Sequence, residues 1–307
     1  MSLPSAFEGR LRLPAIVSPM FLASGPALVT ACCRAGLVGT FPALNQRSTE
    51  AYEAWLDEIE TGLDATSAPY GVNLIVHPSN RRLEADLAAT VKRKVPLVIT
   101  SLGAVKDVVD AVHSYGGLVF HDVINRRHAE KAVEAGVDGV VAVCAGAGGH
   151  GGTLSPFALV PEIRSFFSGT IVLAGAISTG AQIAAARMIG ADLAYMGTRF
   201  IATAESLAPQ AFKEMIVGAK ASDIVYTSAI SGVNANFLRP SIVAAGLDPE
   251  NLAPHTKLDM NGEAKVWKHI WSAGQGVGSI GDVPSAADLC ARLTREFAAA
   301  KAAAASF

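Results

Sequence analysis

Between residues 15 and 196 the chain alternates short, unbroken apolar runs with helical segments, and this rhythm narrows the possible folds more than any other feature. The runs are Ala15–Ser18, Gly39–Ala43, Gly71–Val76, Leu97–Thr100, Leu118–His121, Gly139–Val143, Ile171–Ala174 and Leu193–Met196. Most are apolar throughout rather than at every second position, which suits parallel strands covered on both faces. The stretches between them carry apolar residues at helical spacing, as in Ala85, Leu87, Ala88 and Val91, or Ile183, Ala184, Ala186 and Met188. Gly36, Gly136 and Gly190 stand where those stretches end, and glycine there closes a helix in the left-handed conformation without steric cost. Eight such units predict an α/β fold of the (β/α)8 TIM barrel type. The competing arrangement is a doubly wound open sheet. It wants a glycine-rich nucleotide loop after its first strand, where this chain reads Ser18-Pro19-Met20-Phe21-Leu22-Ala23.

Composition agrees with a buried sheet. Half of the 307 residues are hydrophobic, 17% are charged, and the mean hydropathy is +0.35. A net charge of -2 with mixed signs gives no electrostatic case for nucleic acid or an anionic membrane surface. No apolar run approaches the ~20 residues of a membrane span, and no secretory signal pattern opens the chain. Cys32, Cys33, Cys144 and Cys290 form neither a metal-ligand spacing nor a disulfide framework. A cytoplasmic location follows as the expectation, with no metal site.

After about residue 220 the rhythm breaks. Ser228–Arg239 and Thr256–Lys268 show no strand–helix alternation, and a marked helix then starts from the N-cap candidate Ser285 with Leu289, Leu293 and Phe297 on its apolar face. The alanines from Ala298 to Ala305 suggest a fraying end. The expected division is a barrel over residues 1–219, completed by a C-terminal helix in 280–307, with a small substrate or lid domain over 220–279.

Residues 143 to 152 read Val-Cys-Ala-Gly-Ala-Gly-Gly-His-Gly-Gly. Five glycines between Gly146 and Gly152 cannot help to build a core. They let backbone approach a flat or anionic ligand and leave His150 as the titratable group among them. A flexible loop with a solvated histidine is the plain alternative, but a linker would be richer in serine and would not follow a buried strand so abruptly.

Barrel ligands sit at the C-terminal ends of the strands. Those ends carry Pro19 and Met20, Asn73, Asp122, the Gly148-Gly149-His150 turn, Ala174-Gly175-Ala176, and Tyr195-Met196-Gly197-Thr198. Loops after strands seven and eight commonly hold a phosphate through backbone N–H groups, with Thr198 as a hydroxyl donor and the helix starting near Ser178 as a positive dipole end. Each glycine alone reads as an ordinary turn; two such loops in consecutive positions read as a phosphate site. Cys32-Cys33 and Cys144 read as packing, and His77, His113, His128, His255 and His269 as surface or capping groups. His121, beside Asp122, stands at a strand end and is a second candidate for the pocket.

The segments Gly71–Leu74 (GVNL), AGAGGHGG, Ala174–Ile177 (AGAI), Tyr195–Phe200 (YMGTRF) and WSAGQGVG resemble, in order and over nearly the whole chain, the nitronate monooxygenase family. Related enoyl-acyl-carrier-protein and quinone reductases share these motifs. The resemblance implies non-covalent FMN in the barrel. Pro19 and Met20 would then lie along the ring and Asn73 would hydrogen-bond near it. Gly148 and Gly149 would pass close to the cofactor, while Ala174, Gly175, Ala176, Gly197 and Thr198 would hold phosphate and ribityl groups, flanked by Tyr195 and Met196. Gln275 would close over the ring, and His150 would face the substrate as the catalytic residue. The chain departs from the family pattern at Gly146, where many relatives are acidic, and at Val143, where a Gln or Asp binds the flavin. It departs again at Asp122, where quinone-reductase relatives carry a lysine, and at Ala176, where a second glycine is usual.

The function so implied is oxidation of an alkyl nitronate, or a nitroalkane, by O2 to a carbonyl and nitrite, with His150 as base or anion donor. The alternative is an NAD(P)H-dependent FMN reductase acting on a quinone or an enoyl thioester. A third class, a phosphosugar isomerase, lyase or plain ligand-binding barrel, would use the same phosphate loops without flavin.

Overall fold

The computed structural model describes residues 3–103, 105–253 and 268–306. Eight parallel strands close into a barrel: β1 (Ala15–Val17), β2 (Val38–Pro42), β3 (Tyr70–Ile75), β4 (Leu97–Ser101), β5 (Leu118–Val123), β6 (Gly139–Val143), β8 (Thr170–Ala174) and β9 (Leu193–Met196). β9 closes on β1 with Ile16 opposite Tyr195 and Val17 opposite Met196. Each expected strand is present, with ends moved by at most two residues.

Helices α1 (Pro26–Arg34), α2 (Thr49–Gly62), α3 (Leu83–Lys92), α4 (Lys106–His113), α5 (Arg126–Glu134), α6 (Pro156–Arg164) and α7 (Gly180–Met188) cover the outside. The two-residue alternation of a strand divides the core into two layers. Ile16, Val38, Leu97, Ile99, Phe120, Val141, Val172 and Leu193 pack inside the barrel, where Phe7 meets Phe120 edge-on. Val17, Val98, Val119, Val140, Ile171, Leu173 and Ala194 face the helices. Continuing this alternation to the strand ends turns Asn73, Ser101, Asp122 and Tyr195 inward, and Met196 outward.

The short α8 (Thr198–Ile201) and α9 (Gln210–Gly218) follow the last barrel strand. Next comes an antiparallel pair, β10 (Ile224–Thr227) and β11 (Ala235–Leu238), and then α10 (Arg239–Ala244). Ile230, Ala235, Phe237, Ile242 and Ile270 form a small core of their own there. The third strand of this sheet is β7 (Gly149–His150), lent by the glycine-rich segment: Asn236 pairs with Gly149 and Ala235 with His150. The expectation for Thr256–Lys268 falls, through residue 267, outside the described residues, as does His255.

The last helix, α11 (Ala286–Ala304), is capped by Ser285, whose side chain accepts the Asp288 N–H. It packs on α7 and α1. The alanines expected to fray continue the helix to Ala304, as the strongest helix-forming residue can. Cys32, Cys33 and Cys290 are buried in this helix layer, and Cys144 is also buried and reduced.

Candidate active site

At the C-terminal ends of the strands lies a cavity of about 1410 Å³. Its wall includes every residue singled out for the site except Met196 and Gln275. Met196 is wholly buried against the helices, and only its carbonyl turns back, accepting the Ser18 N–H at 3.0 Å. Gln275 is an exposed residue beside the cavity. Its N–H donates to Gly146 O at 2.9 Å, and its Oε1 lies 3.0 Å from where a Cβ on Gly146 would stand. Gly146, at φ +83°, therefore leaves the room that Gln275 occupies.

The glycine-rich segment is fastened on three sides, not loose. Gly149 N–H donates to Ser272 Oγ at 2.6 Å, Ser272 Oγ donates to Asn236 O at 2.6 Å, and Asn236 Nδ2 donates to Ala147 O at 2.6 Å. Tyr226 OH reaches Gly151 O at 3.0 Å. A Cβ on Gly148 would stand 2.9 Å from Gly274 N, and one on Gly274 would stand 2.5 Å from Gly146 O. Part of the glycine content thus serves backbone-to-backbone packing against residues 272–276, a role the sequence reading did not assign. His150, read as part of a turn, instead stands on β7, half-buried on the cavity wall, with Nε2 3.4 Å from Ser231 Oγ.

The two phosphate-loop candidates stand side by side. Gly175 (φ +143°) and Ala176 (φ +54°) turn the chain at the end of β8. Holding an alanine in the left-handed region costs about 1–2 kcal/mol, the kind of strain found at ligand sites. A Cβ on Gly197 would meet Ser18 Oγ at 2.6 Å, so the loop after β9 closes tightly on the loop after β1. Thr198 Oγ1 accepts the Gly274 N–H at 2.8 Å, and its own proton remains to be donated. Among the described residues, the N–H groups of Gly175, Gly197, Thr198 and Arg199 find no backbone acceptor.

One expected contributor is withdrawn. The N-terminus of α7 is closed by its own capping box, Gln182 Oε1 accepting the N–H groups of Ser178 (2.7 Å) and Thr179 (3.0 Å). Glu296 of α11 accepts the Gly180 N–H at 2.7 Å. A helix end so filled, with a carboxylate against it, offers little to a phosphate.

The floor is polar and incompletely satisfied. Asn73 Nδ2 donates to Ile99 O (3.1 Å) and Ser101 Oγ (2.9 Å), and Ser101 Oγ donates to Asp122 Oδ2 at 2.6 Å. Asp122 Oδ1 and the Tyr195 hydroxyl are closed to solvent and have no hydrogen-bond partner among the described residues. Burial pushes the Asp122 carboxyl up to about 6 against the Ser101 bond, and holds the Tyr195 phenol well above its ordinary range. Ser101 was overlooked in the sequence, although it ends the fourth strand as Asn73 nears the end of the third. His121, the second candidate, also lines the cavity, from the helix side of β5 beside His128; it shares a 2.8 Å hydrogen bond with Thr100, and burial lowers it to about 4. No group of three or more potential metal ligands occurs among the described residues.

These features define a barrel enzyme with its site at the strand ends. The chain belongs to the nitronate monooxygenase family, whose model matches residues 10–296, and it is an oxidoreductase of that flavin-dependent family. It is 29% identical to nitronate monooxygenase of Paraburkholderia phytofirmans over 92% of each chain. It is 26% identical to an octahydro-indene-carboxyl-CoA dehydrogenase of Rhodococcus jostii, over 75% of this chain and 64% of that one. The solved nitroalkane oxidase of Streptomyces ansochromogenes superposes with a TM-score of 0.80 at 24% identity, covering 97% of this chain and 99% of the other, a likeness of fold.

Proposed function

We propose that the cavity binds FMN and that the protein oxidises alkyl nitronates with O2. The observation that carries this reading is the juxtaposition of two tight loops with unmatched N–H groups, at Gly175 and at Gly197–Thr198, with His150 on the wall of the same cavity. The residues fit the cofactor: the N–H groups and the Thr198 hydroxyl suit one phosphate, and the inward Asn73, Tyr195 and Asp122 suit a polar ring edge. When bound, FMN supplies the electron transfer from nitronate to O2 that leaves a carbonyl and nitrite. His150 takes the proton of a neutral nitroalkane or donates to the nitronate anion, its ring steadied by the pairing of β7 with β11. Pro19 and Met20 form apolar wall that limits water, and Gly148 and Gly149 keep the segment low enough for a ring to pass. The test is the absorbance of the purified protein, followed by anaerobic addition of a nitronate. A flavin spectrum bleached by nitronate is expected; protein that stays colourless after soaking with FMN sinks the reading.

The described part of residues 220–279 acts in this reading as a lid, because β11 pairs with the glycine-rich strand, Tyr226 of β10 reaches Gly151 O and Ser272 holds Gly149. Gln275→Ala should change the flavin spectrum or turnover through Gly146 while altering stability by no more than about 0.5 kcal/mol, as at an exposed position. Loss of folding with an unaltered spectrum would make the glutamine structural.

A second reading is favoured by one observation. The cavity extends into an arm lined by Arg81, Arg82, Lys106, His128, Lys131 and Glu134, more space than a nitroalkane needs, with Arg82 and Lys106 paired to Asp86 and Asp110 and Arg81 and Lys131 exposed. An NAD(P)H-dependent reductase acting on a quinone or an enoyl thioester would use it. NADH consumption with a quinone under anaerobic conditions distinguishes the two.

A further inference from the structure

We propose that Asp122 couples reduction of the bound flavin to uptake of one extra proton: its carboxyl is ionised while the ring is oxidised and becomes protonated as the ring gains negative charge. This rests on the flavin reading above.

The geometry isolates the carboxyl. Both N–H bonds of the Asn73 amide are spent on Ile99 O and Ser101 Oγ, so the single Ser101 proton goes to Asp122 Oδ2. Among the described residues Oδ1 has no donor, and it is shut from solvent, while the residue as a whole is half-buried on the cavity wall. A buried carboxylate is usually stabilised by two or more donors or by a cation. Here one neutral donor serves it.

The groups around it do not take over its proton. From β9, Tyr195 keeps its phenolic proton, held there by burial and by Asp122 itself. From β6, Val141 and Val143 present apolar side chains. His121, next in the chain, is turned to the helix side and bound to Thr100, with His128 of α5 opposing its charge. His150 faces the cavity from β7. Lys106 is paired with Asp110, Arg82 with Asp86, and Arg81, Lys131 and His128 are exposed.

Burial by the protein alone pushes the carboxyl up to about 6. A negative charge arriving in the same cavity moves it upward by on the order of one to two pH units. Between the two positions, each two electrons passed from a reductant to the ring bring one proton from water onto Asp122, besides any the ring itself takes. The midpoint potential then falls more steeply with pH in that window. Above it the carboxylate stays ionised in both states and holds the potential down.

The experiment is an anaerobic dithionite titration of the bound flavin against a reference dye from pH 5 to 9, with flavin content measured in each protein. The wild type should show a segment steeper by one proton per two electrons, beginning near pH 6. Asp122→Asn keeps an acceptor for Ser101 and should lose that segment, with a higher potential at pH 8. Ser101→Ala removes the one donor, so the onset should move to higher pH. Parallel curves for wild type and both variants, with flavin bound in each, overturn the proposal alone. A wild type that binds no flavin overturns it together with the flavin reading.

Discussion

Gly197→Glu should give folded protein that has lost FMN. Gly197 has a negative φ of -105°, so the backbone accepts a side chain there. The new Cβ would meet only the tip of Ser18, 2.6 Å away, and Met20 atoms at 3.7 Å. Serine can rotate away, and the expected effect on folding is small. The carboxylate, in contrast, enters the loop whose N–H groups are unmatched. Two unit charges about 4 Å apart repel by about 1 kcal/mol in water and about 4 kcal/mol near a protein surface. FMN affinity should therefore fall on the order of a hundredfold or more. Riboflavin, which has the ring and no phosphate, supplies the control: its affinity should change far less. Gly197→Ala should lower FMN affinity only modestly. Equilibrium dialysis with both flavins, alongside thermal melting, reads all of this. Full FMN occupancy in Gly197→Glu would place the phosphate elsewhere.

The barrel was legible because eight continuous apolar runs are hard to accommodate otherwise, and strand ends in a barrel mark the site. The same alternation separates Tyr195 from Met196, since neighbours in a strand face opposite sides, yet motif resemblance alone had grouped them. Other features had no local signal. A two-residue strand such as Gly149–His150 has no periodicity, and its partner Ala235–Asn236 lies far along the chain. The closure of α7 by Glu296 is likewise a contact across 116 residues. Gln275 was read from its motif as facing the ring, whereas the structure shows its side chain against the space above Gly146.

His150→Asn should separate the neutral nitroalkane from the pre-ionised nitronate. Taking a proton from carbon needs a base within about 3 Å of it, and such a base contributes about 10²–10⁴-fold. The nitronate has already lost that proton and asks only for binding beside the ring. His150 stands on a strand held opposite Ala235, with Ser231 Oγ 3.4 Å from Nε2, so its ring is aimed rather than free to wander. Asparagine keeps a hydrogen-bonding side chain and cannot accept the carbon proton. Turnover of the nitroalkane should fall by about 10²-fold or more, and much of the nitronate reaction should survive at equal flavin content. Equal losses on both substrates would assign His150 to holding the anion. No loss on either would remove it from the reaction and leave Asp122, the other candidate base on the same cavity wall. That rival has its own signature. Burial sets the Asp122 carboxyl at about 6, so a reaction depending on it as base gains rate as pH rises through that value and loses the dependence in Asp122→Asn. The seat of Asp122, with Oδ1 shut from solvent and Oδ2 bound to Ser101, suits holding charge more than reaching a substrate carbon. The substrate split should therefore follow His150, and the pH dependence of the flavin potential should follow Asp122.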